Sequence, residues 1–200
     1  HLQPIAAVIL AARASSRMGS PKPLLDCGGE TFLDRLIATF SEPCETVIAV
    51  LGHHAGQVRT GIARASQAVI TVNPHPDRGM LSSLQAGLAA VPSSCQAVFF
   101  HPCDMPEIRP ETLHELIDAL AAAPPAILAA VPVLDGKRGH PVLIRSCWIP
   151  AFLALPVTAS AKALLESSPV AVIEVAVADP GIRRDFDTRD DYASAFGARP

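Results

Sequence analysis

An α/β fold, with a mostly parallel mixed sheet between two layers of helices, is predicted by three features of this 200-residue chain. Apolar β-rich runs alternate with amphipathic stretches, the pattern of parallel strands joined by crossover helices. Two runs, 5–10 and 97–100, are apolar without interruption, as strands covered on both faces must be. Nineteen prolines are scattered along the chain, which disfavours the long helices of a bundle or coiled coil.

The elements follow in order. Residues 5–10 read as a buried strand, and a polar loop from 11 to about 22 leaves it. Residues 31–40 predict a helix with Phe32, Leu33, Leu36, Ile37 and Phe40 on one face. A second strand at 46–51, a helix at 54–64 and a third strand at 68–72 come next. The stretch 73–79 is loop by composition. Residues 81–91 predict a helix carrying Leu84, Leu88 and Val91, and 97–100 a fourth strand running into His101-Pro102-Cys103-Asp104. Residues 110–122 predict a helix with proline at its start, where a missing N–H costs least. Strands at 126–133 and 141–144, short helices at 147–155 and 159–166, a strand at 170–175 and a closing helix at 189–196 complete the reading. Trp148 and the phenylalanines are expected in the core. The result is a Rossmann-like, doubly wound, three-layer sandwich, whose ligands bind beyond the carboxyl ends of the strands.

Composition narrows the function classes. Apolar residues make up 50% and charged residues 18%, too apolar for disorder over most of the chain. No repeat, low-complexity tract or linker divides it, so one domain over 1–200 is expected. Sixteen Lys+Arg against 19 Asp+Glu leave no basic excess for nucleic acid. No run reaches the roughly 18 apolar residues of a membrane span. The five cysteines are odd in number and form no CxxC pair, which favours free thiols in a reducing cytoplasm. Residues 5–12 followed by Ala12-Arg13-Ala14 have the outline of a secretory leader. They lack preceding basic residues and the run is short, so a buried strand is the expected reading.

The loop after the first strand carries the strongest chemical signal. Leu10, Ala11, Ala12, Arg13 and the residues after them are mostly small, which lets a ligand approach backbone N–H groups. Arg17 and Lys22 lie five residues apart, and Pro21 and Pro23 stiffen the chain around the lysine. Backbone N–H groups and cations together suit an anion. By charge alone, an ordinary solvated loop explains Arg17 and Lys22 equally well. No Walker loop is present: Gly56 and Gly61 have the spacing, but Ile62 stands where the lysine belongs.

Other loops add candidates. Asp104 follows a strand directly, where a carboxylate suits Mg²⁺ shared with phosphates; a turn or helix cap is the plainer alternative. Asp185 and Asp187 share one face of an extended segment, though Asp190 and Asp191 beside them also fit a solvated acidic run. Ser82 and Ser83 lie in the first turn of a helix, where polar ligands or plain capping are both served. His140 follows the turn 136–139 and by residue type reads as exposed surface. Lys137 and Arg138 in that turn suit a phosphorylated acceptor, and Ser160-Ala161-Lys162 reads as helix surface.

The stretch 10–25 resembles the LAAGxSxRMGxxKxLL signature of the molybdenum-cofactor nucleotidyltransferases, especially their cytidylyltransferase branch. Gly79-Met80-Leu81-Ser82-Ser83-Leu84, Pro102-Cys103-Asp104-Met105-Pro106, Gly139-His140-Pro141-Val142 and the segment 185–192 resemble four further elements of that family, in the same order. The resemblance implies the fold of nucleotide-diphospho-sugar transferases. It implies transfer of CMP from CTP, or of a nucleotide from GTP, to the phosphate of molybdopterin, with Mg²⁺ and release of pyrophosphate. The Ala11-Ala12 pair matches the cytidylyl branch, since the guanylyl branch has glycine second. Lys22 and Arg17 are then the catalytic cations, Lys22 on the α-phosphate and Arg17 on the β- and γ-phosphates. Leu10, Ala11, Ala12, Arg13, Asn73, Ser82, Ser83 and Asp104 line the nucleotide, and Gly139 and His140 meet the acceptor. Asp104 holds the metal with Asp187 or Asp185, Asp187 being preferred. A molybdoenzyme or its maturation factor is the implied downstream partner. One departure stands out: Arg13 occupies the family's glycine position. It either obstructs the nucleotide, points outward or adds a cation for the triphosphate. A different phosphorylated acceptor, or nucleotide binding without catalysis, are the competing functions.

Overall fold

The structure is a computed structural model that describes residues 1–14 and 20–197. Strand β1 (Ile5–Ala11) is buried at all seven positions. Its side chains alternate between two apolar cores: Ile5, Ala7, Ile9 and Ala11 face one, Ala6, Val8 and Leu10 the other. That two-sided burial is why the run is apolar throughout.

Helix α1 (Phe32–Ser41) buries the stripe of Phe32, Leu33, Leu36, Ile37 and Phe40 in the first core. Thr31 caps it, its hydroxyl accepting from the Asp34 N–H at 3.0 Å. Strand β2 (Thr46–Leu51), the short helix α2 (Ala55–Gly61) and strand β3 (Val69–Val72) follow. Helix α3 (Met80–Ala89) packs on the opposite face, burying Leu84 and Leu88 in the second core. Gly87 permits this close approach, because a Cβ there would collide with Val8 and Val50 of the sheet. Strand β4 (Ala97–Pro102) and helix α4 (Pro110–Ala122), with Leu113, Leu116 and Leu120 in the first core, come next.

The C-terminal half departs from simple alternation. Strands β5 (Ala129–Leu134), β6 (Lys137–Arg138) and β7 (Val142–Arg145) form an antiparallel meander. Helices α5 (Ile149–Leu153) and α6 (Ala161–Ser167) cover the second core, contributing Phe152 and Leu165. Strand β8 (Val172–Ala176) and helix α7 (Arg189–Phe196) close the fold.

The eight strands among the described residues make one sheet, ordered β3-β2-β1-β4-β7-β5-β6, with β8 also on β5. The first four strands are mutually parallel where they pair, and β7 is antiparallel to both β4 and β5. Strand β8 pairs in parallel along residues 129–133, so β7 and β6 must share the other edge of β5. The chain leaves β1 towards β2 and β3, then returns to place β4 on the opposite side of β1. The reversal puts a topological switch point between β1 and β4, where such sheets bind ligands.

The predicted layout holds, with local differences. The fourth strand extends to Pro102, and the fifth begins at Ala129, three residues later than its apolar run. Residues 137–138, read as turn, pair with β5 as β6. Trp148, Phe32, Phe40, Phe99, Phe100, Phe152 and Phe186 are buried.

Candidate active site

The sheet delivers two loops to the switch point. The first is the exit of β1. Ala11 and Ala12 remain buried, and Arg13 is exposed. Among the described non-glycine residues, only His54 and Asp135 have positive φ, so Arg13 stands at the family's glycine position without left-handed strain. Arg17 lies in 15–19, outside the described residues. The chain returns at Lys22, which opens a short turn held by Leu24 N–H to Pro21 O (2.9 Å) and Leu25 N–H to Lys22 O (3.1 Å).

The second loop is the exit of β4. His101 is buried, and its Nε2 lies 2.7 Å from the Met105 carbonyl. A carbonyl only accepts, so Nε2 carries the hydrogen, and Nδ1 is left buried with no hydrogen-bond partner. Burial pushes the imidazole pKa down to about 3. This neutral ring clamps the turn that presents Asp104. Cys103 beside it is buried and its thiol is pushed up by burial, so it serves as packing rather than as a thiolate.

A third segment reaches the same point from the C-terminus. The Phe186 N–H donates to the Asp104 carbonyl at 3.1 Å. Phe186 itself is buried against Phe32 and Phe196, with ring centroids 5.7 and 5.2 Å away. Its two neighbours in sequence, Asp185 and Asp187, are thereby set beside Asp104. Ligand atoms of the three carboxylates lie within 4.8 Å of one another. Asp185 is exposed and Asp187 half-buried, and both lie beside Asp104. Asp191 instead forms a capping box with Thr188 at the start of α7.

Lys22 sits across this cluster. Its Nζ is 2.5 Å from Asp187 Oδ1 and 3.5 Å from Asp104 Oδ2. The lysine and Asp104 side chains are only 12% and 16% exposed, whereas Asp187 is 46% exposed. Burial raises the Asp104 pKa, opposed by the Lys22 charge and reinforced by Asp187. The hydrogen bond from Lys22 holds Asp187 below the usual carboxylate range. Burial and the hydrogen-bonded, charged Asp187 raise Asp185. The Arg13 charge lowers both Asp104 and Asp187, which places its guanidinium within electrostatic reach of the cluster.

A cavity of about 360 Å³ opens at this point. Leu10, Ala11, Ala12, Arg13 and Lys22 line one side, Ser83 and Asp104 others, with Pro76, Gly79 and Met80 completing the wall. Asn73 and Ser82 lie just behind. The buried Asn73 amide donates to the Ser82 and Ser83 hydroxyls at 2.9 and 3.0 Å, and its Oδ1 accepts from the His75 N–H at 2.9 Å. Of these three polar residues, only Ser83 lines the cavity, and Asn73 fixes its rotamer from below. Gly79, at φ +95°, gives the chain the turn that starts α3 at the cavity edge.

A second chamber of about 460 Å³ shares Leu10, Gly79 and Met80 with the first. Gly139 and His140 lie on its wall. His140 is half-buried rather than exposed; its Nδ1 is buried without a partner, and burial lowers its pKa to about 4. Its ring stands 6.3 Å from that of His101. Phe100 and Val142 make part of the wall apolar, while Arg78, Arg138, Lys162 and Glu166 bring charge to it, Arg138 paired with Glu174 and Lys162 with Glu166. Lys162 had read as helix surface. It is indeed exposed, yet it lines this chamber. Spacing alone gave no signal for it, nor for His101 or Phe186, whose roles depend on contacts distant in sequence.

Paired chambers at the switch point of a half-parallel sheet, with a lysine held among carboxylates between strand ends, define the class: a nucleotidyltransferase. Residues 7–172 match the MobA-like NTP transferase domain, and the chain belongs to that family. It is 30% identical over 189 residues to the molybdenum cofactor cytidylyltransferase of Escherichia coli K12, covering 94% of this chain and 93% of that protein. Among solved structures it is similar to Rv0371c of Mycobacterium tuberculosis H37Rv, with TM-score 0.83, 28% identity, and 97% and 98% of the two chains covered. The manganese complex of Rv0371c is similar too, with TM-score 0.80, 26% identity, and 98% and 100% covered. No helix among the described residues is long and apolar enough to cross a membrane.

Proposed function

We propose that this enzyme transfers CMP from CTP to the phosphate of molybdopterin, releasing pyrophosphate, with Mg²⁺ as its metal. The observation that carries this reading is Lys22 and Asp104 on the wall of the first chamber, with Asp185 and Asp187 beside Asp104 and a second chamber adjoining through Leu10, Gly79 and Met80. The similarity to the cytidylyltransferase of E. coli supports the choice of donor and acceptor.

The donor set fits a hard divalent cation: it consists of carboxylate oxygens only, close together, beside a cavity for phosphates. Asp104 and Asp187, with Asp185 near, would hold it. When bound, such an ion neutralises charge on the triphosphate and on the departing pyrophosphate. The chain supplies the rest. An oxygen of the acceptor phosphate attacks the α-phosphorus, the bond to the β-phosphate oxygen breaks, and pyrophosphate leaves with the electron pair. The nucleophile is already an anion, so no general base is needed. Lys22 stabilises charge on the α-phosphoryl group, and Arg17 is assigned to the β- and γ-phosphates. Leu10, Ala11, Ala12 and Ser83 shape the nucleotide chamber, with Ser82 and Asn73 supporting Ser83. Gly139 and His140 contact the acceptor, whose flat ring suits the apolar wall and whose anionic groups suit Arg78, Arg138 and Lys162.

Arg13 is read as an added cation for the triphosphate, because it lines the nucleotide chamber and its charge reaches Asp104 and Asp187. Arg13→Gly should then weaken CTP binding; a large gain in affinity would show that Arg13 obstructs. The direct test of function is pyrophosphate release with CTP, GTP, UTP or ATP and molybdopterin. Release with CTP and molybdopterin, dependent on Mg²⁺, is expected. Release only with another phosphorylated acceptor would overturn the assignment, and nucleotide binding without turnover would place the chain among non-catalytic binders.

A further inference from the structure

The position of Lys22 raises a problem that the reaction alone does not solve. The ammonium group assigned to the α-phosphate lies instead against the carboxylates assigned to the metal, at 2.5 Å from Asp187 and 3.5 Å from Asp104. A monovalent cation and a divalent one cannot share those oxygens at full strength, since each would stand within the other's repulsion. Lys22 is nearly buried and its backbone is flanked by Pro21 and Pro23. The lysine serves as the cluster's counter-ion.

We propose that Lys22 is a displaceable counter-ion of the Asp104–Asp187 cluster, so that divalent metal and nucleoside triphosphate enter the site together. This rests on the reading of the cluster as the metal site. An arriving triphosphate offers the ammonium group other anionic oxygens in the adjoining cavity. When Lys22 moves to them, the carboxylates lose their counter-ion and their affinity for metal rises. Metal arriving first does the reverse, releasing Lys22 towards phosphate. The two ligands are coupled, and the coupling acts equally in both directions. The consequence is that the free enzyme holds metal weakly for a site with three carboxylates.

The test is Mn²⁺ binding to the full chain without nucleotide, followed by the electron paramagnetic resonance signal of the free ion. Wild type, Lys22→Met, Lys22→Gln, Lys22→Arg and Asp104→Asn are compared, each checked for a cooperative melt. Two neutral replacements are used so that one poorly folded variant does not decide the outcome. Loss of the competing charge should tighten Mn²⁺ binding about tenfold or more in Lys22→Met and Lys22→Gln. Lys22→Arg should stay as weak as wild type, and Asp104→Asn should weaken binding further. If the neutral variants bind no tighter than wild type while Asp104→Asn still weakens binding, the counter-ion proposal is overturned and the metal site stands. If Asp104→Asn changes nothing, the metal site itself is misassigned and the proposal falls with it.

Discussion

Lys22 combines what the site needs at the scale of one side chain: a fixed stem, near-burial and contact with two acids from distant parts of the chain. Replacing it with alanine should lower turnover by about 10²–10³, the usual loss for one preorganised donor to a developing charge. Steady-state pyrophosphate release measures this, and near-normal turnover would remove Lys22 from the mechanism. The lysine was legible in the sequence because its prolines and its neighbours form a local pattern. The state of the histidines was not. His101 and His140 are neutral because of what surrounds them, and nothing near them in sequence announces it. Their folded-state pKa values of about 3 and about 4 lie below the ordinary 6.5. The unfolded chain therefore binds more protons than the folded one below pH 6.5. Their contribution to stability is whole above that pH and is lost as pH falls towards 4 and 3. Each imidazole should lower the unfolding free energy by about 1.4 kcal/mol per pH unit within that window. Urea unfolding between pH 7 and pH 4 checks this, and His101→Phe should flatten the slope.

At the scale of elements, the segment from Asp179 to Asp187 ties the site together. The buried Asp179 carboxylate accepts from the Arg109 N–H at 2.9 Å, the Thr112 hydroxyl at 2.8 Å and the Gly181 N–H at 2.8 Å. The Ile182 carbonyl then accepts from the His140 N–H at 2.8 Å, and Gly139 has no room there for a side chain. Four residues on, the Phe186 N–H donates to the Asp104 carbonyl. One strap thus connects the start of α4, the loop of Gly139 and His140, and the turn that presents Asp104. Phe186→Ala should cost about 3–5 kcal/mol of stability through the cavity it leaves. It should also raise the metal concentration needed for half-maximal rate, because Asp185 and Asp187 lose their anchor. A chemical-denaturation curve and a metal titration of activity separate the two effects; an unchanged metal requirement would make Phe186 purely structural. The strap explains why the end of the chain was only half legible. Its two acids could be seen as a pair, but their distance to Asp104 is set by aromatic packing on Phe32. These residues also lie beyond 7–172, the part that matches the family.

At the scale of the whole molecule, the order of the strands does the positioning. Placing β1 between β2 and β4 opens the switch point, and turning β7 antiparallel brings Gly139 and His140 round to the second chamber. The alternation of apolar runs made the first four strands and their helices readable. The meander of β5, β6 and β7 was harder to read, since a two-residue strand at Lys137–Arg138 has no period to recognise. The two chambers share Leu10, Gly79 and Met80, and Lys22 lines the first of them. The measurement that bears most directly on this account is a crystal structure with Mn²⁺ and an α,β-methylene analogue of CTP. The account predicts anomalous density among Asp104, Asp185 and Asp187, with the Lys22 ammonium moved onto the α-phosphate. Metal held elsewhere, or Lys22 still seated on Asp187 with the nucleotide in place, would contradict it.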